Sequence, residues 1–500
     1  MRRIELALAL LLVVPVSGFA QFSVANLVEY QLGNLPYQEP DNLTTLYDQL
    51  DVSYRQGYVT AIMKFETFQH PDQSKDYVNA SQRALRFGKN EFDITVGNFY
   101  EIFGRGILLR SFEIPGTVIE DEGLRIRQGF YRDIDGVQLR YYGSFVELKA
   151  LRGRPLRSEF PPTFDRELRR PDLIEGLESN WNLWRGWTFG GSYLRSNREV
   201  NGFSEYGDLS VSGNLPGDIQ LYGELAHRSG SGRHFFDLSE TSSHGFYASA
   251  NYSTRALGAS LEYKNYNDFL LGFNEPPPLV KEHSYVLLNR STHVLDPRNE
   301  TGWQAETFVR LKGDHMLTAN YAAADNNIFG TQYAFNELFL ELDFHVNDLS
   351  SFKFYYDRSR DEVVGQSDRN AFGLYAQTQW RSRWGATMDL EYQDFVRDFD
   401  SGTIVRNYAA ILSLSRAPHL SGGIVLERST DPLETDDPRT EQIETAARHW
   451  LSLNAGWQID NHHLVNLFYG RRRGGPACTA GICYEVLDFE GFELRWTTTF

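Results

Sequence analysis

Long apolar runs and clusters of basic residues are both missing from this sequence of 500 residues. Hydrophobic residues make up 41% of the chain, and only its opening stretch is as apolar as a membrane helix. A membrane protein built from several helices would need several such runs of about 20 residues. Lysine and arginine total 49 against 66 aspartates and glutamates, a net charge of −17. No nucleic-acid partner is predicted, because contacts to phosphates require clustered lysine and arginine.

Cysteine and methionine are scarce, at two and four residues, whereas tyrosine (27), phenylalanine (34) and glycine (42) are abundant. Aromatic residues favour strands and glycine favours turns, so the composition favours an all-β fold. A chain of this length suggests about three soluble domains, but all-β barrels can run longer as one unit.

The opening stretch has the pattern of a secretory signal. A positively charged start is followed by the apolar run 6–16, and Gly18 and Ala20 place small residues before a cleavage site. This order predicts a cleaved signal peptide over residues 1–20. The alternative, a retained anchor, is disfavoured because the run is short and Pro15 interrupts it.

Past the signal, hydrophobicity alternates with a period of two. In residues 337–344, Leu338, Leu340, Leu342 and Phe344 share one face, with acidic residues on the other. The same alternation recurs at 49–55, 352–357 and 386–393. It begins by about residue 46, so no separate N-terminal plug domain is predicted. Segments of about ten alternating residues separated by turns are typical of a transmembrane barrel.

A soluble sandwich shows the same alternation, but the connections favour the barrel. Those at 312–314 and 381–383 are tight, whereas those at 229–242 and 430–447 are long and polar. Short turns on one side and long loops on the other are typical of barrels. We expect every long connection to fall outside and every tight one inside.

Tryptophans lie beside tight turns. Trp184 and Trp187 flank one turn, and Trp380 and Trp384 flank another. An aromatic girdle at the membrane interface explains this placement. The alternative is that these rings pack at the end of a sandwich.

The last strand carries a further signal. Phe492, Leu494, Trp496 and Phe500 occupy alternate positions, and the chain stops on Phe500. Such an ending resembles the assembly signal of Gram-negative outer-membrane barrels. The resemblance implies that the outer-membrane assembly machinery is a partner.

Two segments do not fit the alternation of strands and turns. Residues 267–300 contain three consecutive prolines, which a central strand cannot accept, and residues 99–122 contain Gly104-Arg105-Gly106. The first is expected to fold over or into the lumen; the second is either an extra strand or another inward turn. The predicted fold is therefore a single large antiparallel transmembrane β-barrel over residues 21–500, with roughly 20–26 strands and inward-folded segments.

Three passages carry a family resemblance. They are residues 97–113, residues 277–293 and the stretch from Arg473 through Cys478 to Cys483. Together they resemble an uncharacterised, domain-of-unknown-function family of Gram-negative outer-membrane proteins. The resemblance implies an outer-membrane barrel and supplies no activity.

Cys478 and Cys483 lie five residues apart with Gly481 between them. In an oxidising compartment such a pair closes a small loop, whereas zinc would need two further ligands. We expect a disulfide in the last outer loop and no metal site.

Seven residues of the irregular segments are candidates for a lumen constriction: Arg105, Arg110, Lys281, Glu282, His283, Arg290 and His293. The two histidines and their charged neighbours suggest acid–base work or a metal. The other interpretation is a hydrogen-bonded network that holds the segment inside a polar lumen, and we favour it because buried polar groups are normally paired.

Two outer loops carry runs of charge. Asp431, Glu434, Asp436 and Asp437 do not match the spacing of an EF-hand, so a solvated loop is expected rather than a calcium site. Residues 471–473, all arginine, are expected at the outer rim, either as ordinary rim charges or as ligands of lipopolysaccharide phosphate.

Three classes of function stay open. The first is a channel or solute-binding pore that the two irregular segments narrow, and the second is a non-conducting accessory barrel that docks a surface or secreted partner. The third is an outer-membrane enzyme, which is disfavoured because the sequence has no metalloprotease, nucleophile-elbow, P-loop or dinucleotide motif. No cofactor is predicted. The expected location is the Gram-negative outer membrane, with the lipid bilayer, lipopolysaccharide, and a small solute or surface protein as partners.

Overall fold

The computed structural model describes residues 20–34, 43–121, 125–156, 172–184, 186–198, 202–229, 237–239, 241–381, 383–398, 402–435, 447–479 and 481–500. All but the last residue of the expected signal peptide, 1–20, lies outside the described residues, as do Asp436 and Asp437.

Twenty-four strands of the described chain form the wall: β1 (Ala20–Asn34), β2 (Leu43–Gln56), β3 (Val59–Gln69), β4 (Tyr77–Lys89), β5 (Phe92–Phe99), β10 (Ile134–Tyr142), β11 (Val146–Pro155), β12 (Leu173–Trp184), β13 (Trp187–Arg198), β14 (Gly202–Leu215), β15 (Ile219–Ser229), β16 (His244–Ser253), β17 (Leu257–Asn267), β18 (Asn299–Arg310), β19 (Met316–Ile328), β20 (Thr331–Asn347), β21 (Ser350–Asp361), β22 (Gln366–Trp380), β23 (Trp384–Arg397), β24 (Thr403–Arg416), β25 (Leu420–Ser429), β26 (Arg448–Gln458), β27 (His463–Arg472) and β30 (Phe489–Thr499). Six short strands lie outside the wall: β6 (Ile102–Phe103), β7 (Leu109–Arg110), β8 (Phe112–Glu120), β9 (Arg127–Arg132), β28 (Gly475–Thr479) and β29 (Ile482–Val486). Short helical turns are α1 (Val286–Asn289), α2 (Pro432–Thr435) and a 3₁₀ turn (Gln73–Lys75).

The wall is one antiparallel sheet closed on itself. Consecutive wall strands pair, β5 pairs with β10, and β27 pairs with β30. The sheet closes where β1 pairs with β30, from Ala25 opposite Thr499 to Asn34 opposite Glu490. The expectation of a single transmembrane barrel of roughly 20–26 strands is confirmed.

Polarity is reversed relative to a soluble protein. On β20, Leu338 and Leu340 point outward and are each 38% exposed, whereas Glu337 points inward and is 1% exposed. An apolar outer face against lipid and a polar interior is the pattern of a transmembrane barrel.

Two rows of aromatic rings mark the two edges of the apolar band. Tyr392 on β23 contacts Phe372 and Tyr408 on the neighbouring strands, with ring centroids 5.0 Å apart in both pairs. Eight residues along β23, Trp384 stacks on Trp380 with centroids 6.4 Å apart. Eight residues of strand span about 26 Å, which matches an apolar band about 25 Å tall once strand tilt is allowed for.

None of the described helices is long and apolar enough to cross a membrane.

Connections follow the expected asymmetry with an exception. Both ends of the described barrel, at β1 and β30, lie on the side of the short turns, and Phe500 pairs with Val24 through both backbone groups at 3.0 and 2.8 Å. On the other side, however, β19 and β20 are joined by only Phe329 and Gly330. The expectation that every tight connection lies on one side is therefore wrong at this hairpin.

Within the described chain, three segments leave the wall and fold inside it. The first insert is residues 100–133, the second is residues 268–298, and the third is residues 473–488. The first is longer than the expected 99–122 because β8 and β9 pair with each other rather than with the wall. The third carries Cys478 and Cys483, which form a disulfide. The disulfide expectation is confirmed, but its place in an outer loop is wrong, since Ile482 packs on Phe112 and Phe130 of the first insert.

Candidate functional site

The inserts meet the inner wall on several sides of the barrel. Apolar residues of the first and second inserts, among them Ile107, Leu108 and Phe269, are fully buried against inward-facing residues of β10–β17. Tyr285 and Leu288 of the second insert pack against β20–β22. Ile126 of the first insert packs against Tyr47 and Phe68 on β2 and β3. Apolar clusters therefore tie the inserts to opposite arcs of the wall.

The tip of the first insert is clamped by two wall carboxylates. The Gly104 N–H donates to Glu178 at 2.7 Å, and the Arg105 N–H donates to Glu224 at 2.8 Å. Gly104 has φ +52°, and a Cβ there would lie 2.4 Å from a Glu224 oxygen. Glycine is required by both the backbone and the carboxylate. The exposed Arg105 guanidinium lies 4.8 Å over the Tyr222 ring.

A four-residue ionic cluster holds the second insert at β20–β22. His283 Nε2 lies 3.3 Å from Glu337, and Arg369 lies 3.0 Å from Glu337 and 3.4 Å from Asp357. Arg369 also donates to the Ser291 carbonyl at 2.7 Å. All four side chains of the cluster are buried.

The donor atoms of His283, Glu337 and Asp357 lie within 4.8 Å of one another, a spacing that a metal ion could use. Arg369, however, already pairs with both carboxylates. A cation would be repelled by the guanidinium, so this donor set suits an ion-pair network better than a metal.

A second ionic cluster surrounds His293. Its Nδ1 lies 2.7 Å from Asp361, its Nε2 lies 3.6 Å from Glu300, and its ring stacks on Phe335 at 4.3 Å. Lys264 completes the cluster by pairing with Glu300. Burial lowers the pKa of His293, but the carboxylates of Asp361 and Glu300 outweigh it and raise the pKa to about 9.

Two more cations of the second insert reach wall carboxylates. Lys281 pairs with Glu306 at 2.5 Å, and Arg290 pairs with Glu427 through both terminal nitrogens. The start of α1 is held by Glu391, which accepts from the N–H groups of residues 286 and 287 at 2.8 Å each. The second insert is thus bound to the wall from β18 to β25.

The inserts are also bound to one another. Glu275 of the second insert pairs with Arg132 of the first, and the Arg110 N–H donates to the Phe273 carbonyl at 3.1 Å. Burial raises the pKa of Glu275 against the opposing effect of the two arginines. The Gly481 N–H of the third insert donates to Glu282 at 3.0 Å. The three segments form one internal body.

The short-turn end of the lumen is lined by acidic and amide side chains. The half-buried acids are Glu262, Glu306, Glu341, Asp343 and Asp389, and the exposed amides include Gln220, Asn251, Gln377 and Asn454. Lys353 is a half-buried base facing the same region and lies 3.8 Å from Asp343. Along strands β15–β26, these side chains give the lining a negative net charge.

The seven candidate constriction residues separate into two groups. His283 and His293 are fully buried anchors, and Arg290 and Lys281 are paired with the wall. Arg105 and Glu282 are exposed, and the half-buried Arg110 of the first insert lies beside the Gly481 turn of the third insert. Their role as a constriction remains a prediction.

Two expectations about surface charge are wrong. Arg473 is buried and pairs with Glu434 at 2.8 Å, so it is not a rim charge. Asp431 is also buried, paired with Arg397, so it does not belong to a solvated loop. Both pairs form because each arginine lies beside an acid of the stretch 431–434, and pairing offsets the cost of burying the charges.

The third insert was missed by sequence reasoning. Ile482 and Tyr484 alternate like residues of a wall strand, and an inward hairpin has the same period. Arg473 at its start, followed by two glycines, was the one available signal.

A closed sheet with an apolar outer face and a lumen crossed by inserts defines a transmembrane β-barrel. The chain belongs to a family of unknown function (DUF6029), whose model matches residues 21–500. The resemblance to an uncharacterised barrel family is confirmed. No curated protein matches the chain in sequence.

Three solved structures are similar to this chain. One is the E. coli P pilus tip assembly intermediate PapC-PapD-PapK-PapG, with TM-score 0.53 and 10% identity, covering 98% of this chain and 62% of that chain. Another is the P pilus usher (PapC) translocation pore, with TM-score 0.44, 9% identity, and 96% and 99% coverage. Pseudomonas aeruginosa OpdQ has TM-score 0.42 and 13% identity, with 76% and 99% coverage. The first of these likenesses extends to the fold alone.

Proposed function

We propose that this protein is a channel of the Gram-negative outer membrane that its inserts hold closed. The observation that carries the proposal is the attachment of the second insert. Its contacts to the wall are ion pairs, side-chain packing and hydrogen bonds between wall side chains and its backbone. Among the described residues, it contributes no strand to the barrel ladder. Such a segment can leave the wall without breaking the barrel.

The neck of the second insert supports this movement. The Asp268 N–H donates to the Arg298 carbonyl at 2.6 Å, and the Phe269 N–H donates to the Pro297 carbonyl at 3.0 Å. The two ends of the insert are therefore paired to each other beside β17 and β18. The segment beyond the neck is a closed loop that moves as a unit.

The lining favours cationic or neutral polar solutes. Along strands β15–β26, acidic side chains outnumber basic ones at the short-turn end of the lumen, and acidic side chains lining a channel select cations. Arg105 and Lys281, next to this lining, are the constriction residues that a solute would meet first.

Removing the insert's cations tests the proposal. The double variant K281A/R290A takes from the half-buried Glu306 and the buried Glu427 their cations on the second insert, which penalises the docked state. We expect more frequent and longer openings in planar bilayers than in the wild type. R310A is the matched control, because Arg310 pairs with the exposed Asp314 in a turn away from the inserts. Unchanged openings in K281A/R290A, with the barrel intact, would refute gating by the second insert.

A second candidate is a non-conducting barrel that docks a surface or secreted partner. The mutual attachment of all three inserts favours it, since interlocked segments resist displacement. In that case the lumen stays closed in every variant that keeps the inserts. We propose no enzymatic step.

The same proposal includes the surroundings of the barrel. The apolar outer face lies in the lipid bilayer with lipopolysaccharide in its outer leaflet. The last strand, with Phe492, Leu494, Trp496 and Phe500, presents the proposed signal to the assembly machinery.

A further inference from the structure

The lipid-facing side of the barrel is indented along β24. Ala410 lies opposite Leu390 on one neighbouring strand and Leu426 on the other. Its short side chain leaves a groove of about 780 Å³, bordered by these leucines and by Tyr392 and Tyr408. The groove is lined by apolar side chains, and the two tyrosines lie at its long-loop end.

The indentation continues toward the short-turn end. A second groove of about 720 Å³ lies on the same strands, where Ala386 and Gly422 face outward on either side of Leu414. It ends beside Trp384. The two grooves together follow β24 from the tyrosine row to the tryptophan row, which is the height of the apolar band.

Two arginines mark the long-loop end of this groove. Arg428 borders it and lies 5.6 Å over the Tyr408 ring, and Arg406 lies two residues beyond Tyr408 on β24. Arg428 faces Tyr408 across the ladder, and the Thr430 N–H donates to the Arg406 carbonyl, so the two arginines are diagonal neighbours, about 7–8 Å apart.

Both arginines are exposed, and neither is ion-paired with a carboxylate of the described chain. Asp394, which faces Arg406 across the ladder, accepts a hydrogen bond from Tyr392 at 2.9 Å instead. The guanidinium groups are therefore available to an anion at the level where the aromatic row ends the apolar band.

We propose that this groove binds a phosphorylated, acylated lipid of the outer leaflet, with an acyl chain over Ala410 and the phosphate on Arg406 and Arg428. Guanidinium groups bind phosphate oxygens through two parallel hydrogen bonds. An apolar groove that ends in two cations matches a lipid with an anionic head. The proposal rests on the outer-membrane location proposed above.

The test measures retention of diphosphorylated lipid A by the detergent-purified full chain, using native mass spectrometry. We expect the wild type to retain it, and R406Q/R428Q to bind about tenfold more weakly, as loss of a charge-assisted hydrogen bond implies. A410L fills the groove and should lose retention with both arginines present. R471Q is the matched control, because the outward Arg471 already pairs with Glu490 at 3.0 Å.

Three results would overturn the proposal. They are equal retention by the wild type and R406Q/R428Q, equal retention of dephosphorylated lipid A, and displacement of the lipid by inorganic phosphate. Heat-modifiable migration shows whether each variant has folded. If R406Q/R428Q does not fold, retention of lipid A by A410L still tests the groove. Lipid A retention by a wild-type protein that does not fractionate with the outer membrane would refute the proposed location and leave the lipid site standing.

Discussion

The side-chain amide of Asn289 makes a reciprocal pair of hydrogen bonds with the backbone of Cys478. Its Nδ2 donates to the Cys478 carbonyl at 3.0 Å, and its Oδ1 accepts from the Cys478 N–H at 3.0 Å. Nδ2 also donates to the His283 carbonyl at 2.9 Å. One side chain of the second insert therefore satisfies three backbone groups, two of them in the third insert.

Loss of this side chain should loosen the inserts from each other. Asn289→Ala leaves those backbone groups without their partner, and we expect a loss of about 1–3 kcal/mol in stability. Asn289→Asp keeps the acceptor for the Cys478 N–H but sets an oxygen against the Cys478 and His283 carbonyls, so it should lose at least as much as Asn289→Ala. Limited proteolysis of the second insert is the measurement, and equal protease resistance in all three proteins would contradict the link.

The disulfide should matter little for the barrel. Cys478 and Cys483 are direct partners across the β28–β29 hairpin, so the covalent ring is short and its entropic contribution is about 2 kcal/mol or less. C478S/C483S should assemble with unchanged heat-modifiability and a slightly lower melting temperature. Thiol titration of the native, unreduced wild type should find no free thiol; a reactive pair would refute the bond.

Gly104 should be far less tolerant of a side chain than another glycine of similar backbone. Gly104→Ala places a Cβ against the Glu224 carboxylate at φ +52°, whereas Gly57→Ala at φ +59° meets nothing within 4 Å. Both variants have backbone strain of about 1–3 kcal/mol. Only G104A also displaces the Glu224 carboxylate, which binds the first insert. Thermal unfolding should show a larger loss for G104A; equal losses would show that the Glu224 contact contributes nothing.

Docking of the second insert should depend on pH through His293. Its pKa is raised from the usual 6.5 to about 9 by Asp361 and Glu300, so the docked state favours the protonated ring. That stabilisation is complete below about pH 6.5 and is lost as the pH rises through about 9. Protease sensitivity of the insert should increase over this interval. H293Q, which cannot carry the charge, should lose that dependence; an identical pH profile in H293Q would rule out His293 as its source.

Alternation predicted most of the wall because lipid and lumen impose opposite polarities on successive residues. It missed β1, where the outward Asn26 and the inward Leu27 reverse the pattern. Asn26 is tolerated on the outer face because it donates to Asp48 on β2, with the two atoms 2.5 Å apart. A cross-strand pair of this kind is invisible in a single sequence.

The inserts were only partly predictable for a related reason. Three prolines and dense charge marked the second insert, since neither suits a lipid-facing strand. The first insert contains the β8–β9 hairpin, whose period is the same as that of the wall, so its end at residue 133 could not be predicted. Glu337 lies 54 residues from His283 and Asp361 lies 68 residues from His293, and only the register of the wall strands brings these pairs together.

Single-channel recording of a deletion variant shows whether the second insert closes the lumen. Residues 270–296 are replaced by a four-residue glycine–serine turn, which joins Phe269 to Pro297 where their backbones already pair at 3.0 Å. We expect a large, stable conductance in the deletion variant and little or none in the wild type. Heat-modifiable migration on gels should be the same in both proteins, because the barrel wall is unchanged. Equally low conductance in the two proteins would contradict it, because the lumen would then be closed without the second insert.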